Sequence, residues 1–216
     1  MDVEIMQKQN RRGFSALCAA AFLFVGATAA SAALLAPPNA LTPAPGEPDP
    51  SPGAIQVATI TSPFAVPGTF AGVLTTTAYR NDANNPFGLN ALTFVYDLSN
   101  SATSTNALGR LVVDSYLGFQ TDVSFLPGAG VDPRTIDRFT PGDIGFAFQA
   151  PTGALLPGQS ADRLVVQTNA TVFGAANGTV IDGATVSGIP ALGPIPEPAS
   201  LGLLALGGLI LRRRRD

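Results

Sequence analysis

Three groups of residues have types and spacings that could do chemistry. Asn81-Asp82-Ala83-Asn84-Asn85 gathers side-chain oxygens in one short stretch, and oxygen ligands of this kind suit calcium. The stretch lacks the fixed glycine and closing glutamate of an EF-hand loop, so it reads first as a turn whose Asn and Asp side chains bond their own backbone. Asp132, Asp137 and Asp143, with Arg134 and Arg138, form the most charged stretch. An acidic pair could in principle hydrolyse a glycoside. Local Arg–Asp pairs on a solvated loop are the preferred reading, because Glu47 and Glu197 both flank the strand-forming region and no Trp is present to stack on a sugar. Tyr79, Tyr96 and Tyr116 could line a carbohydrate groove, although Tyr96 shares a strand face with Phe94 and so belongs in the core or at its edge. Asn169-Ala170-Thr171 and Asn177-Gly178-Thr179 match the N-glycosylation pattern. They read as part of an Asn/Thr-rich composition.

The missing residue types say more. Between residues 33 and 211 there are five arginines against twelve carboxylates, a net charge of −7, with no Lys, Cys, His or Trp. Without His, Cys or Lys there is no Ser-His-Asp or Cys-His nucleophile system. Nor is there a His or Cys ligand for zinc, haem or an iron–sulfur cluster. A net-negative body is a poor nucleic-acid binder, since phosphate contacts need clustered Lys or Arg. The chain is therefore expected to be non-enzymatic, with no catalytic residue, cofactor or metal site, and its stability must come from a core without disulfides. A body of this length suffices for one core.

The C-terminus has a definite order. Pro196-Glu197-Pro198 precedes an uncharged run from Ala199 to Leu211, and Arg212, Arg213, Arg214 and Arg215 follow. As a helix the run would rise about 20 Å, against about 30 Å for a bilayer core. Gly202, Gly207 and Gly208 weaken it as a helix. The arginines would stay on the cytoplasmic side. The expectation is a short transmembrane helix over 199–211 with modest grip. This tail resembles the PEP-CTERM sorting signal of Gram-negative bacteria: Pro196-Glu197-Pro198 matches the namesake motif, the apolar run its membrane segment, and Arg212 to Arg215 its basic end. The resemblance implies recognition by an exosortase, a membrane-embedded cysteine peptidase. It also implies removal of the tail and delivery to the cell envelope or exopolysaccharide.

The N-terminus agrees. Lys8, Arg11 and Arg12 precede an apolar stretch from Ala16 to Ala30, and Ala30-Ser31-Ala32 offers a small-x-small exit. This is the pattern of a secretory signal peptide cleaved after Ala32, with Ala30 and Ala32 as the recognised small residues. Arg11-Arg12 also leaves twin-arginine export open. Cys18 reads as a small hydrophobe in the signal's apolar core. Both chain ends would then face the cytoplasm, with everything between them exported across the inner membrane.

The elements that must carry these residues are strands. Leu92, Phe94, Tyr96 and Leu98 alternate with Thr93, Val95 and Asp97. Phe119, Val123 and Phe125 alternate with Gln120, Asp122 and Ser124, while Ile144, Phe146 and Phe148 alternate with Gly145, Ala147 and Gln149. A period of two with one apolar face means half-buried strands. Pro127-Gly128, Pro141-Gly142, Pro157-Gly158, Asn177-Gly178 and Asp182-Gly183 punctuate them, and Asn177-Gly178 is expected to turn a type I′ hairpin. The fold class is all-β, an antiparallel β-sandwich of jelly-roll or immunoglobulin-like kind, flanked by an N-terminal signal helix and the short C-terminal transmembrane helix. The expected organisation is 1–32 signal peptide, 33–67 Pro-rich linker, 68–188 sandwich and 189–216 sorting segment. The body also resembles uncharacterised β-domains found ahead of such tails, through Leu92-Thr93-Phe94-Val95-Tyr96 and Leu98-Ser99-Asn100. Two functions fit: a non-enzymatic envelope or exopolysaccharide-associated protein, or an extracellular carbohydrate- or calcium-binding module.

Overall fold

The structure, a computed structural model, describes residues 33–41, 50–148 and 153–196. The expected signal peptide and transmembrane helix lie outside the described residues. Twelve strands build two antiparallel sheets. They are β1 (Ala33–Leu34), β2 (Asn39–Leu41), β3 (Ile55–Val66), β4 (Phe70–Arg80), β5 (Thr93–Asn100), β6 (Arg110–Val113), β7 (Thr121–Leu126), β8 (Thr135–Arg138), β9 (Ile144–Ala147), β10 (Arg163–Thr168), β11 (Phe173–Asp182) and β12 (Ala184–Pro194). One sheet runs β1-β7-β10-β5-β4-β3 and the other β12-β11-β6-β9-β8-β2. The described part is thus all-β and sandwich-like.

The expected alternation locates the core. Phe94, Tyr96 and Leu98 of β5 pair across to Ala78, Thr76 and Leu74 of β4, and all six point inward and are buried. Leu164 and Val166 of β10 and Val123 and Phe125 of β7 continue the layer. Leu111, Val113, Ile136, Ile144, Phe146 and Val180 supply the facing layer from the second sheet. Burying these side chains is what holds two sheets together without a disulfide.

Three expectations about the elements are corrected. The segment 33–67 is not a linker throughout: β1 and β2 lie in it, and β3 fills Ile55–Val66, paired along its length with β4. The sandwich does not end at residue 188, because β12 continues to Pro194. Both misread strands are sheet edges, where a proline costs no ladder bond if its missing N–H faces away from the neighbour. That is how Pro63 sits in β3, and Pro190 and Pro194 in β12. Finally, Asn177-Gly178 does not turn a hairpin. It lies within β11 at a bulge, and the chain reverses at Gly183, whose φ of 66° suits a tight turn. Gly178 is small for another reason: a Cβ there would come 2.7 Å from Cδ2 of Leu74 in the opposite sheet.

Strand directions sort the connections to two ends. At one lie the links β4–β5 (81–92), β6–β7 (114–120), β8–β9 (139–143) and β10–β11 (169–172), together with the end of β12. Hydrogen bonds join them: Leu92 N to Ala170 O, Tyr116 N to Gly142 O, and Ile195 N to Val172 O. At the opposite end lie β3–β4 (67–69), β5–β6 (101–109), β7–β8 (127–134), β9–β10 and the turn at Gly183. Thr105 N to Thr69 O, Leu108 N to Leu155 O and Asp162 N to Val131 O tie that end.

Candidate functional site

Of the expected sorting residues, only Pro196 is described. Glu197, Pro198, Arg212, Arg213, Arg214 and Arg215, and the expected cleavage residues Ala30 and Ala32, lie outside the described residues. The approach to the motif is nevertheless defined. β12 pairs with β11 as far as Pro194, opposite Phe173. Ile195 then donates its N–H to Val172 O at 3.0 Å and lays its side chain over Gly174, where a Cβ would meet Cγ2 at 3.0 Å. Pro196 is exposed. The sandwich therefore holds the chain to within one residue of the Pro-Glu-Pro triplet.

The Asn81–Asn85 oxygens are spent inside the protein. Asp82 is buried, and one carboxylate oxygen accepts from Ser51 N at 3.0 Å and Asn84 N at 3.1 Å. The other accepts from Thr93 Oγ1 at 2.7 Å and Gln167 Nε2 at 3.3 Å. Burial pushes this carboxyl's pKa up, but the donors outweigh burial and hold it below the ordinary carboxylate value. Asn85 Oδ1 accepts from Phe87 N, and its Nδ2 bonds Leu92 O and Thr93 Oγ1. The expected turn is present, with a reach across β5 and β10 that the stretch alone did not indicate.

The charged stretch is not a set of local pairs on a solvated loop. Asp137 and Arg138 are both buried. Asp137 pairs with Arg110, 27 positions away, in a two-pronged contact at 2.6 Å per oxygen. The guanidinium crosses over Gly145 on the intervening β9, where any Cβ would collide with it. Arg138 has no carboxylate partner among the described residues. Its Nε donates to Pro141 O, Nη1 to Phe119 O and Thr121 Oγ1 at 3.0 Å each, and Nη2 to Tyr116 O and Pro141 O. All five N–H groups are thus used, and burial lowers its pKa without removing the charge. Asp143 lies apart from both; burial, then the charge of Asp114, raises its carboxyl.

Two of the three tyrosines are core. Tyr96 and Tyr116 are fully buried, with their hydroxyls 2.7 Å apart. Tyr96 Oη donates to Leu192 O at 3.0 Å, so Tyr116 is the donor to Tyr96. Burial pushes both phenols well above their usual value. Phe94 meets Tyr116 edge-on at 6.2 Å. Tyr79 is half-buried. In the glycosylation patterns, Asn169 Oδ1 accepts from Gln120 N, and Asn177 bonds the Asp114 carboxylate through its N–H and side chain.

One feature was missed by sequence reasoning. At the end opposite the chain exit, Leu126–Val131 and Gly158–Arg163 line an open cleft of about 600 Å³. Asp162 is buried at its wall and accepts from Gly130 N at 2.7 Å and Gly128 N at 2.8 Å. Gly130 packs backbone to backbone on Ala161 and Asp162, leaving no room for a Cβ. Asp132 reaches the same carboxylate, and its own carboxyl is raised by burial first, then by sharing a hydrogen bond with Asp162. The only sequence signal was the run Pro127-Gly128-Ala129-Gly130. Chemically the cleft offers backbone groups, the polar residues Gln159, Ser160 and Arg163, and the Asp162 carboxylate, which accepts two amides. Among the described residues no group of three or more His, Cys, Asp or Glu could hold a metal ion. Comparisons with family models, with curated proteins and with solved structures find no match to this chain.

Proposed function

We propose that this chain is an exported, non-enzymatic protein of the cell envelope or exopolysaccharide, processed by an exosortase through its C-terminal segment. The observation that carries the reading is the order of the last residues: Pro196-Glu197-Pro198, an uncharged run to Leu211, then four arginines. It is supported by the signal-peptide pattern at the other terminus and by a body without His, Lys, Cys or Trp. The position of β12 adds support, since removing everything after Pro196 leaves every described strand whole. A signal helix before the body and a transmembrane helix over 199–211 belong to the same proposal. So does a jelly-roll or immunoglobulin-like sandwich, supported by a chain that crosses repeatedly between two antiparallel sheets.

The partners in this reading are the exosortase, the inner membrane as a transient anchor and the exopolysaccharide, with no role for nucleic acid. The test is expression in a producer strain with its exosortase gene intact or deleted, following size and location. The expected result is a shorter, released protein in the intact strain and a full-length, membrane-bound one in the deletion. A tail retained at the inner membrane in both strains sinks the sorting reading. The carbohydrate- or calcium-binding alternative draws no support from Tyr96, Tyr116 or Asp82, whose polar atoms bond within the protein.

A further inference from the structure

The exposed apolar side chains of the sandwich are unevenly placed. Ile55 opens β3 opposite Arg80, Leu89 lies in the 81–92 loop, Leu117 in the 114–120 loop and Phe139 in the 139–143 loop. All four are more than half exposed, and all four are at the end where the chain leaves at Pro196. At the opposite end Leu156 is the one comparable residue among those described, and Leu34 is exposed on the edge strand β1. Single exposed apolar residues need no explanation, but a group confined to one end does.

Four charges of the same end are engaged within the protein, while Asp143 in the 139–143 loop has, among the described residues, only the charge of Asp114 beside it. Asp82 is buried under four donors, and Arg138 is buried among carbonyls. Arg80 Nη2 donates to Thr171 O, and Asp114 accepts from Asn177 and Ser115. The loops carrying Leu117 and Phe139 are held as one piece. Arg138 binds Tyr116 O and Phe119 O in the first and Pro141 O in the second, and a Cβ on Gly142 would touch Leu117. From Pro196 to Ala199, where the uncharged run begins, is three residues. Three residues span at most about 10 Å.

We infer that this apolar end of the sandwich rests on the lipid surface, with Leu117 and Phe139 in the headgroup region, while the tail is in place. The inference rests on reading residues 199–211 as a membrane anchor. It goes further by fixing which end of the domain meets the bilayer. An interfacial site gains from burying Leu and Phe while their polar neighbours stay hydrated. The partner is a neutral, zwitterionic surface, because a body of net charge −7 gains nothing from anionic lipid. Held there, the chain beside the Pro-Glu-Pro triplet stays within reach of a membrane-embedded peptidase.

The test uses the full chain with Cys18→Ser, which leaves no other cysteine. Leu117→Cys, Phe139→Cys and Leu156→Cys are each labelled with an environment-sensitive dye and reconstituted into phosphatidylcholine vesicles. Spin-labelled lipid is expected to quench the dyes at 117 and 139 several-fold more than the dye at 156. A chain that floats with the vesicles while all three dyes are equally unquenched overturns the resting surface and leaves the anchor standing. A chain that does not float removes the anchor reading, and this inference with it. All three positions are exposed, so the label does not disturb the core.

Discussion

The two ends of the sandwich solve the same problem with different chemistry. Each must hold several loops that have no regular ladder to satisfy their backbone. At the chain-exit end a buried cation does this beside a buried anion: Arg138 gathers carbonyls from Tyr116, Phe119 and Pro141, while Asp82 takes the amides of Ser51 and Asn84. At the opposite end a buried anion does it: Asp162 gathers the amides of Gly128 and Gly130. A guanidinium has five donors in a fixed fork and reaches three loop carbonyls, whereas a carboxylate only accepts and organises a glycine-rich stretch whose N–H groups can converge. The chain-exit end is tipped with apolar side chains; the opposite end leaves an open cleft. Neither charge is neutralised by an opposite charge in its own cluster, so each depends on the loop conformation it creates.

That contrast can be broken from either side. The largest effect is expected from Arg138→Met, which strands carbonyls of three loop residues at once. Each unpaired buried group costs about 1–3 kcal/mol, so a total of about 3 kcal/mol or more is expected. In a domain of this size that lowers the melting temperature by about 10 °C in a thermal scan. Arg138→Lys, with one ammonium in place of a fork, should recover less than half of the loss. Next is Tyr96→Phe, which leaves Leu192 O and the Tyr116 hydroxyl without their partner inside the core. It should cost about 1–2 kcal/mol by denaturant titration with an unchanged slope. A slope that changes instead would mean that the chain-exit end unfolds separately.

Asp162→Ala should be milder, about 1 kcal/mol, because water in the open cleft can take over the Gly128 and Gly130 amides. Its signature is local: faster hydrogen exchange at residues 128–131, with residues 114–120 unaffected. If exchange rises equally at both ends, the two clusters are not independent.

The smallest effect is in acid. Asp82, at the chain-exit end, has a depressed pKa, so its contribution is present above the unfolded carboxylate value and is lost as pH falls through the folded one. Asp132, beside Asp162, has a raised pKa, so its contribution is present below the unfolded value and is lost as pH rises through the folded one. Carboxyl-carbon NMR titration should therefore show Asp132 inflecting above an ordinary aspartate and Asp82 below it. The reverse order would mean that the two carboxyls do not sit in the surroundings described.

Much of the interior was legible in the sequence. The alternation over Leu92–Leu98 and Val123–Phe125 identifies core faces because side-chain direction in a strand follows sequence position. Prolines misled at the margins. The Pro-rich linker was expected to run to residue 67 and the sandwich to end at 188, yet sheet order shows that β3 and β12 are edges, where Pro63, Pro190 and Pro194 are tolerated. Asn177-Gly178 misled in the same way, since its glycine answers to Leu74 of the facing sheet. The candidate charges were legible as residues but not as partners. Arg110 and Asp137 are 27 positions apart, and Asp162 lies 32 and 34 positions from the amides it binds.

The sequence by itself determined what depends on local order and residue type: the all-β class, the alternating core faces, the functional groups available and the order of apolar and charged runs at the termini. Such properties follow from strand period, from the functional groups a chain possesses and from the order of apolar and charged runs. Tertiary structure alone decided which Asp pairs with which Arg, which tyrosines are buried, and that the exposed apolar side chains share an end with the departing chain. Those facts depend on which strands become neighbours, and burial of apolar surface selects that arrangement across long separations without leaving a local pattern.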